Sequence, residues 1–443
     1  MYIDKYGKPP SAQGLKEGID ALEAQARHTV VPVGLRTMPF GKGFALDLCE
    51  EQWRRAIISP GEWKISQDHL PQFRRGAGAQ SLPMPVEGGS IEKLRRYVNI
   101  CCDEDWILLL GWLVYALQPN GPYPILVLQG EHGACKSTAA RILVCLVDPN
   151  EASLIALPKS VHDLMVVAKS RHVLAYDNVS CISPDIKDAL CRIATGSGHA
   201  TRKLYSDNET VVWSASKPII LNGIDNLLIA DDLADRAISI TLPFISEDKR
   251  IRESELMQNF QRERFEILGA LLDAAALALE ASPPSPGVQF TRMADFDHFA
   301  ASAAGSWGVS YEQFHGTYRN NRCEAVERGL DTDPLAHAIC SFLETLSPWQ
   351  GTKCELLSEL RGHADTQEAL DSLPTNARSL GAKLRRVSPA LRIVGIEISE
   401  LGRTSNGYQV RIEQLDSPAD VRSERHEHST LLNLEEEKRK REI

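Results

Sequence analysis

Residues 123–138 contain the side chains and the glycine spacing of a phosphate-binding loop. An apolar run ends at a turn with two glycines, and Lys136, Ser137 and Thr138 then open a helix. Backbone N–H groups in such a turn bind phosphate oxygens, and the helix N-terminus favours negative charge. The pattern predicts that Lys136 binds the β- and γ-phosphates of a nucleotide and that Ser137 is a ligand of Mg²⁺. The candidate nucleotide-binding residues are Gly130, Glu131, His132, Gly133, Ala134, Cys135, Lys136, Ser137 and Thr138.

One position departs from the usual pattern of this loop. Cys135 stands where G-x-x-x-x-G-K-[ST] has its second glycine, so a side chain must fit a position that favours close backbone approach. A strand–turn–helix corner with an incidental lysine is the alternative interpretation of so short a motif.

Three other apolar runs carry polar residues at their ends. Asp177 follows the run 173–176, where a neighbouring strand would place a carboxylate to hold Mg²⁺. Asn178 can orient an attacking water, but an amide cannot accept its proton. Asn222 ends a second run, and Arg236 precedes a third, a position that suits a charge clamp on the γ-phosphate of a neighbouring subunit. Each of these residues also has an ordinary interpretation. Asp177, Asn178 and Asn222 are common turn formers, and Arg236 can belong to a surface Asp–Arg pair.

The elements that must position these residues alternate between strands and helices. Strand-like runs are predicted at 125–128, 173–176, 218–221 and 238–242, with helices between several of them. This alternation predicts an α/β fold with a parallel sheet.

Composition and Gly/Pro punctuation divide the rest of the chain. The predicted segments are a small strand-containing N-terminal domain (1–85), a helical linker or collar (86–122) with helices near 90–103 and 104–118, the α/β core (123–248), a helical segment (249–330) that opens with a helical pair over 249–280, a winged-helix domain (331–413) and a charged tail (414–443) that is disordered or a solvated helix.

The winged-helix prediction depends on a basic amphipathic helix over 375–387. Thr375 is its expected N-cap, and strands are expected over 391–398 and 407–412. Two helices, a basic helix and two strands follow the order of a winged helix, whose third helix enters the major groove of DNA. A solvated helix face and a protein-binding winged helix are the alternatives. The candidate DNA-binding residues are Arg378, Lys383, Arg385 and Arg386.

Bulk properties restrict the class of protein. The net charge of the 443 residues is −10, so any DNA contact must come from a local basic surface. The ten cysteines form no metal-type C-x-x-C pairs, which favours reduced core cysteines. The first residues lack the apolar core of a secretory signal, and the longest apolar stretch, 106–117, is a buried helix too short to span a bilayer. We expect a cytoplasmic protein with no membrane partner.

The order of motifs over roughly 125–245 resembles a known family. GEHGACKST, VLAYDN, LCRIATGSGHATRKLY, KPIILN and LADRAISITLPF follow one another as in the superfamily 3 helicases, the AAA+ ATPases of phage, plasmid and viral replication proteins. More narrowly, the chain looks like the primase–helicase ATPases of bacterial mobile elements. By position, the resemblance implies a Walker A motif with Gly130, Gly133, Lys136 and Ser137, a Walker B motif with Asp177 and Asn178, a sensor residue Asn222 and an arginine finger Arg236 acting in trans.

The resemblance also implies a pore hairpin within 195–213 that grips single-stranded DNA. Its strands would lie near 199–205 and 210–214, and His199, Arg202 and Lys203 are the candidate phosphate contacts. The turn at 206–209 is acidic, whereas the family's hairpin tip usually carries a basic residue.

These observations predict an ATP-dependent DNA helicase or translocase. Its cofactors would be ATP and Mg²⁺, its partner DNA, and its active form a homo-oligomeric ring, in the first place a hexamer, with sites between subunits. The first alternative is an ATP-binding replication initiator or scaffold with weak or no unwinding. The second is a nucleotide-dependent sensor in phage defence.

Overall fold

A computed structural model of the chain describes residues 5–26, 31–68, 70–196, 199–202, 210–213, 216–223, 231–282, 290–363, 367–404 and 407–415. The strands are β1 Val33–Gly34, β2 Thr37–Phe40, β3 Gly43–Asp47, β4 Arg55–Ser59, β5 Glu62–Ser66, β6 Gln72–Phe73, β7 Ile125–Gln129, β8 Leu174–Val179, β9 His199–Arg202, β10 Thr210–Trp213, β11 Ile219–Gly223, β12 Ala237–Thr241, β13 Trp349–Thr352, β14 Ile396–Thr404 and β15 Gly407–Gln414.

The α-helices are α1 Ala12–Ala26, α2 Asp103–Ala116, α3 Lys136–Val147, α4 Val161–Ala168, α5 Pro184–Thr195, α6 Asp231–Ala234, α7 Glu253–Glu280, α8 Ala294–Ala303, α9 Tyr311–Thr332, α10 Pro334–Thr345, α11 Lys353–Gly362, α12 Gln367–Ser372 and α13 Ala377–Ile393. Short 3₁₀ helices occupy Ile91–Arg96, Glu247–Lys249 and Ala304–Trp307.

Four parallel strands form the central sheet in the order β12-β7-β11-β8. Parallel neighbours need long crossover connections, which α3, α4 and α5 supply along the chain. A further parallel bridge joins Ile155 to Tyr176 of β8, on the outer side of the sheet. The α/β fold with a parallel sheet, predicted from the alternation of runs, is confirmed, and all four predicted strands belong to this sheet.

Both faces of the sheet are covered, which explains the nearly continuous apolar runs of its strands. Side chains alternate between faces along a strand, so Leu126 and Leu128 of β7 join a cluster with α2, α3, α7 and α8. Ile125 and Val127 join a second cluster with α4, α5, α9, α10 and α13. The helix α2, buried from Trp106 onward, is the buried helix predicted for 106–117.

The N-terminal strands form an antiparallel sheet in the order β2-β3-β4-β5, and β1 and β6 pair in parallel beside it. Its apolar side chains, among them Phe44 and Ile58, share the cluster of α2 and α7. A hydrogen bond of 2.7 Å from Trp63 Nε1 to Asp273 Oδ1 adds a polar contact to α7. The sheet thus supports the helix that lies beside the central sheet.

Two helix predictions are wrong. Only the 3₁₀ helix Ile91–Arg96 forms within 90–103, because the chain beyond it is held by the Asn99 side chain, which donates to Pro243 O at 2.6 Å. The predicted pair over 249–280 is the single helix α7. Gly269 lies inside this helix without interrupting it. The glycine is needed there because a Cβ would lie only 1.8 Å from the carbonyl oxygen of Val86, which packs against the helix.

The C-terminal residues build a compact unit of α10, β13, α11, α12, α13 and a hairpin, with the sheet order β13-β15-β14. Asn376, not the predicted Thr375, caps α13 by accepting from Ser379 N. The helix also runs on to Ile393, so a strand starting at 391 was wrong. It continues because Val387, Ala390 and Leu391 extend its buried stripe.

The prediction of core cysteines was largely wrong. Only Cys145 and Cys191 are buried, whereas Cys101, Cys135, Cys181 and Cys354 are exposed; no disulfide joins the ten cysteines, all of which lie in the described ranges. Among those ranges no helix combines the length and the apolar character needed to cross a membrane.

A buried polar network joins the N-terminal sheet to the core. The Arg36 guanidinium donates to Asp148 Oδ1 at 2.8 Å, and His172 Nε2 lies 2.7 Å from Ala116 O. Burial alone would raise the pKa of Asp148, but the neighbouring Arg36 and His172 hold it below its usual value. Burial lowers the pKa of His172 to about 4, and the ammonium of Lys217 acts in the same direction.

The free energy of unfolding should therefore fall as the pH drops from 6.5 toward 4. Over that interval the unfolded chain binds a proton at His172 that the folded chain does not, so acid favours unfolding. Between pH 7 and pH 5 the expected loss is about 2 kcal/mol, at 1.36 kcal/mol for each unit of pKa difference. The variant His172→Gln keeps a hydrogen-bond donor for Ala116 O. Its free energy of unfolding, measured with urea, should not show this fall between pH 7 and pH 5. The exposed His162→Gln is the control; equal pH slopes for both variants would contradict the assignment.

Candidate functional site

The glycine-containing turn joins β7, which ends at Gln129, to α3, which begins at Lys136. Gly130 has a φ of 139° and Gly133 a φ of 89°, conformations that side chains rarely adopt. A Cβ on Gly130 would also lie 2.4 Å from Leu242 O. The turn is therefore wound tightly between two strands and a helix start, as the sequence predicted.

Cys135 occupies the left-handed region, with φ 59° and ψ 32°, directly before α3. This is the position where the sequence pattern expects glycine, and a non-glycine residue there costs about 1–2 kcal/mol. The side chain is accommodated because it is exposed, with its sulfur 4.0 Å from Gly133 O. Cys135 therefore places an exposed thiol at the rim of the turn.

Lys136 lies across the loop that precedes it. Its Nζ donates to Gly130 O at 2.6 Å and to Glu131 O at 2.9 Å. These two carbonyls hold the ammonium at the entrance of the turn, beside the backbone N–H groups that open α3. Phosphate oxygens bound in the turn would compete with the carbonyls for the same donor.

Three residues far apart in sequence meet beside Lys136. Ser137 Oγ donates to Asp177 Oδ1 at 2.8 Å, and Asn222 Nδ2 donates to the same oxygen at 2.6 Å. Asn222 Nδ2 also lies 3.3 Å from Ser137 Oγ. They meet because β7, β8 and β11 are parallel neighbours whose carboxyl ends share one edge of the sheet.

Asn178 follows Asp177 at the same edge, with a φ of 52° and an exposed side chain. Its backbone N–H donates to Asp177 Oδ1 at 3.0 Å and lies 3.4 Å from Asn222 Oδ1. The left-handed backbone turns its amide side chain toward the cavity above the loop. An amide there can hold a water molecule but cannot deprotonate it.

These groups line one cavity of about 450 Å³, a size that accommodates a small ligand. Its donors suit an anion and its oxygens a hard cation: the Ser137 hydroxyl and the Asp177 carboxylate are the ligand types that Mg²⁺ prefers. The lining residues are His132, Gly133, Ala134, Cys135, Lys136, Ser137, Thr138, Asp177, Asn178, Asn222 and Gly223.

Arg236 lies at the opposite edge of the sheet. It precedes β12, and its carbonyl accepts from Ile125 N at 2.9 Å, at the amino end of β7. With about 3.3 Å per strand residue, roughly 15–20 Å separate it from the turn of the same chain. Its neighbour Asp235 is buried and accepts from Arg292 Nη1 at 2.8 Å and Arg322 Nε at 2.7 Å, which anchors this corner.

Two antiparallel strands lie at the position predicted for the pore hairpin. β9 and β10 are antiparallel, with Arg202 opposite Thr210 and His199 opposite Trp213. Of the predicted strands, the structure describes 199–202 and 210–213. Lys203 and the acidic turn lie outside the described residues.

The four basic candidates of the C-terminal unit all lie on α13 and are exposed: Arg378, Lys383, Arg385 and Arg386. Arg378 and Arg385 are seven residues apart and share a helix face. Lys383 Nζ donates to Ser372 O at 3.3 Å, and Arg386 lines a cleft between α13 and α5. The helix therefore offers a basic surface on an acidic chain.

Sequence reasoning missed a segment that touches the loop from the other side. Phe244 and Arg250, which follow β12, lie against Gly133, and Asn99 ties this segment to the loop by hydrogen bonding to Pro243 O. An exposed aromatic residue close to an arginine after the last strand was the available signal, but it carries no motif.

Comparison with known proteins gives a family. A model described as the actinomycete integrative conjugative element replication protein matches residues 91–320, and a model of the C-terminal domain of the same proteins, AICE RepA, matches residues 335–427. No curated protein matches the sequence significantly.

Solved structures give only distant likenesses. The apo structure of the NrS-1 C-terminal region is 11% identical with a TM-score of 0.37, over 82% of this chain and 94% of that one. A crystal structure of the JCV helicase with a bound small molecule is 10% identical with a TM-score of 0.23, over 41% of this chain and 56% of that one. Because the first family model covers more than half of the 443 residues, the chain belongs to the replication proteins of actinomycete integrative conjugative elements.

Proposed function

We propose that this replication protein is an ATP-dependent DNA helicase or translocase of the superfamily 3 type. The observation that carries the proposal is the meeting of Lys136, Ser137, Asp177 and Asn222 around one cavity at the carboxyl edge of a parallel sheet. Cation, hydroxyl, carboxylate and amide are the set that a Mg²⁺–nucleoside triphosphate requires.

Two features of the fold support the finer assignment. The loop-bearing strand β7 lies between β12 and β11, and Ile155 adds a fifth parallel position beyond β8, an arrangement that fits an AAA+ core. In the C-terminal unit, α13 precedes the hairpin β14–β15 and carries the basic residues, which fits a winged helix with α13 as its recognition helix.

In the proposed mechanism the chain acts by positioning and electrostatics. Backbone N–H groups of the turn and Lys136 bind the β- and γ-phosphates. Ser137 and Asp177 would hold Mg²⁺, and the ion would supply positive charge beside the phosphate oxygens. Asn222 and Asn178 orient the attacking water. Because neither amide can accept its proton, the rate depends on correct placement and on the guanidinium of Arg236 from a neighbouring subunit.

DNA would be bound by local basic surfaces, since the chain as a whole is acidic. The hairpin β9–β10, with His199, Arg202 and Lys203, would contact a single strand in the pore of a hexameric ring, and α13 would contact a duplex. Hydrolysis at successive subunit interfaces would then move the hairpins along the strand.

The deciding experiment measures ATP turnover of the purified chain with and without single-stranded DNA, together with strand separation of a forked duplex. We expect turnover to rise with DNA and the fork to open only with hydrolysable ATP. Asn178 favours a second candidate function, an ATP-binding initiator, because an amide stands where a stronger base would speed hydrolysis. That role predicts ATP binding without strand separation, and an absence of ATP binding would contradict both.

A further inference from the structure

The two flanks of the phosphate-binding turn differ in chemistry. On the flank of β11 and β8 lie Asp177 and Asn222, which suit the γ-phosphate end of a bound triphosphate. On the flank of β12 lies the segment that leaves this strand: Leu242 N donates to Gln129 O at 2.8 Å, so the segment continues alongside the turn. A nucleotide that lies along the turn with its γ-phosphate toward Asp177 would place its sugar and base on the β12 flank.

The segment on that flank is tied to the turn by Asn99. Its Nδ2 donates to Pro243 O at 2.6 Å and lies 3.4 Å from Ala134 O in the turn itself. One side chain thereby fixes the segment and the turn relative to each other, so the residue that follows Pro243 has a defined position beside the phosphate site.

Phe244 and Arg250 reach Gly133 from this segment. A Cβ built on Gly133 would lie 2.9 Å from Arg250 Nη2, so the absence of a side chain leaves room for this guanidinium, and 3.5 Å from Phe244 Cε2, an ordinary van der Waals contact. The Arg250 guanidinium lies 5.6 Å from the centroid of the Phe244 ring, and its Nε donates to Ile245 O at 3.3 Å. The arginine thus packs against the ring and against its own backbone.

Phe244 is nevertheless 55% exposed, an unusual state for a large aromatic ring next to a well-packed loop. Exposed rings beside a phosphate site suit a flat base, because every base has a π-face on which a ring can stack. Nothing in the chemistry of the loop otherwise uses this ring.

We propose that Phe244 is the base-stacking residue of the nucleotide site and that Arg250 is a positioning residue for its ring. This inference rests on the proposed function, because it concerns the nucleoside end of the same ligand. Stacking accepts either purine, so Phe244 should contribute to binding of ATP and of GTP to a similar degree, while the triphosphate contacts remain those of the turn.

The test compares binding of ATP and of inorganic triphosphate, each with Mg²⁺, by calorimetry on the full chain. Phe244→Ala should weaken ATP binding about tenfold or more, the range found for loss of a base–aromatic stack, and leave binding of inorganic triphosphate unchanged. Phe244→Trp should restore ATP binding. The matched control is Phe40→Ala, which removes another exposed ring, at 37% exposure, from the N-terminal sheet.

The outcomes separate this inference from the proposed function. Suppose that the unaltered protein binds both ligands and that the Phe244→Ala variant binds ATP as tightly as the unaltered protein. The stacking assignment is then overturned, while the nucleotide site stands. The assignment is also overturned if Phe244→Ala weakens both ligands equally, since the effect is then on the loop. If the unaltered protein binds neither ligand, the proposed function itself fails.

Discussion

Replacing Lys136 by alanine should abolish ATP hydrolysis and leave the protein folded. Among the residues that the structure describes, Gly130 O and Glu131 O alone accept from the ammonium, so its removal leaves two backbone carbonyls and no buried charge behind. In the proposed reaction the same group neutralises the β- and γ-phosphates. Loss of one charged donor of this kind costs at least about a hundredfold in turnover.

Steady-state phosphate release is the measurement, with thermal unfolding as the check on folding. Lys42→Ala removes an exposed lysine from the tight turn between β2 and β3 and should keep full turnover. Both variants should keep the melting temperature of the unaltered protein, and only Lys42→Ala should keep ATP turnover. Full turnover by a folded Lys136→Ala protein would remove the phosphate role of this residue and with it the basis of the proposed site.

The meeting of Ser137, Asp177 and Asn222 was within reach of sequence reasoning. Each residue follows or precedes an apolar run, and parallel strands bring the carboxyl ends of such runs to one edge. The glycine requirement at Cys135 was also readable, because a backbone that wraps phosphate needs left-handed residues. A local sequence pattern and one rule of sheet topology are therefore enough to predict which residues meet, when the site is built from main-chain geometry.

What the sequence did not reveal depends on contacts between distant segments. The chain after Tyr97 is not helical because Asn99 bonds to Pro243, 144 residues on, and the same bond fixes Phe244 beside the turn. Helix α13 passes the predicted end because its last turns pack into the cluster shared with α9 and α10. Propensity cannot anticipate either effect, since the partner residue is chosen by the tertiary fold.

The position of Arg236 restricts what it can do. Its backbone pairs with the amino end of β7, whereas the phosphate-binding turn follows the carboxyl end of the same strand. An arginine there is too far from the turn of its own chain to bind a γ-phosphate. The ion pairs of Asp235 with Arg292 and Arg322 hold this corner in place.

Arg236→Ala should therefore lose hydrolysis, yet recover it when mixed with Lys136→Ala. In a ring of both variants, a site regains lysine and arginine together wherever an Arg236→Ala subunit provides the turn and a Lys136→Ala subunit the guanidinium. Random equal mixing gives about one quarter of the sites both groups, so turnover should return to roughly that fraction. If arginine and lysine had to belong to the same chain, no mixed ring would contain a complete site. Sedimentation must show that both variants assemble and exchange subunits. Assembled, exchanging mixtures with no turnover would refute the trans assignment, because a site built across an interface would be repaired by subunit exchange.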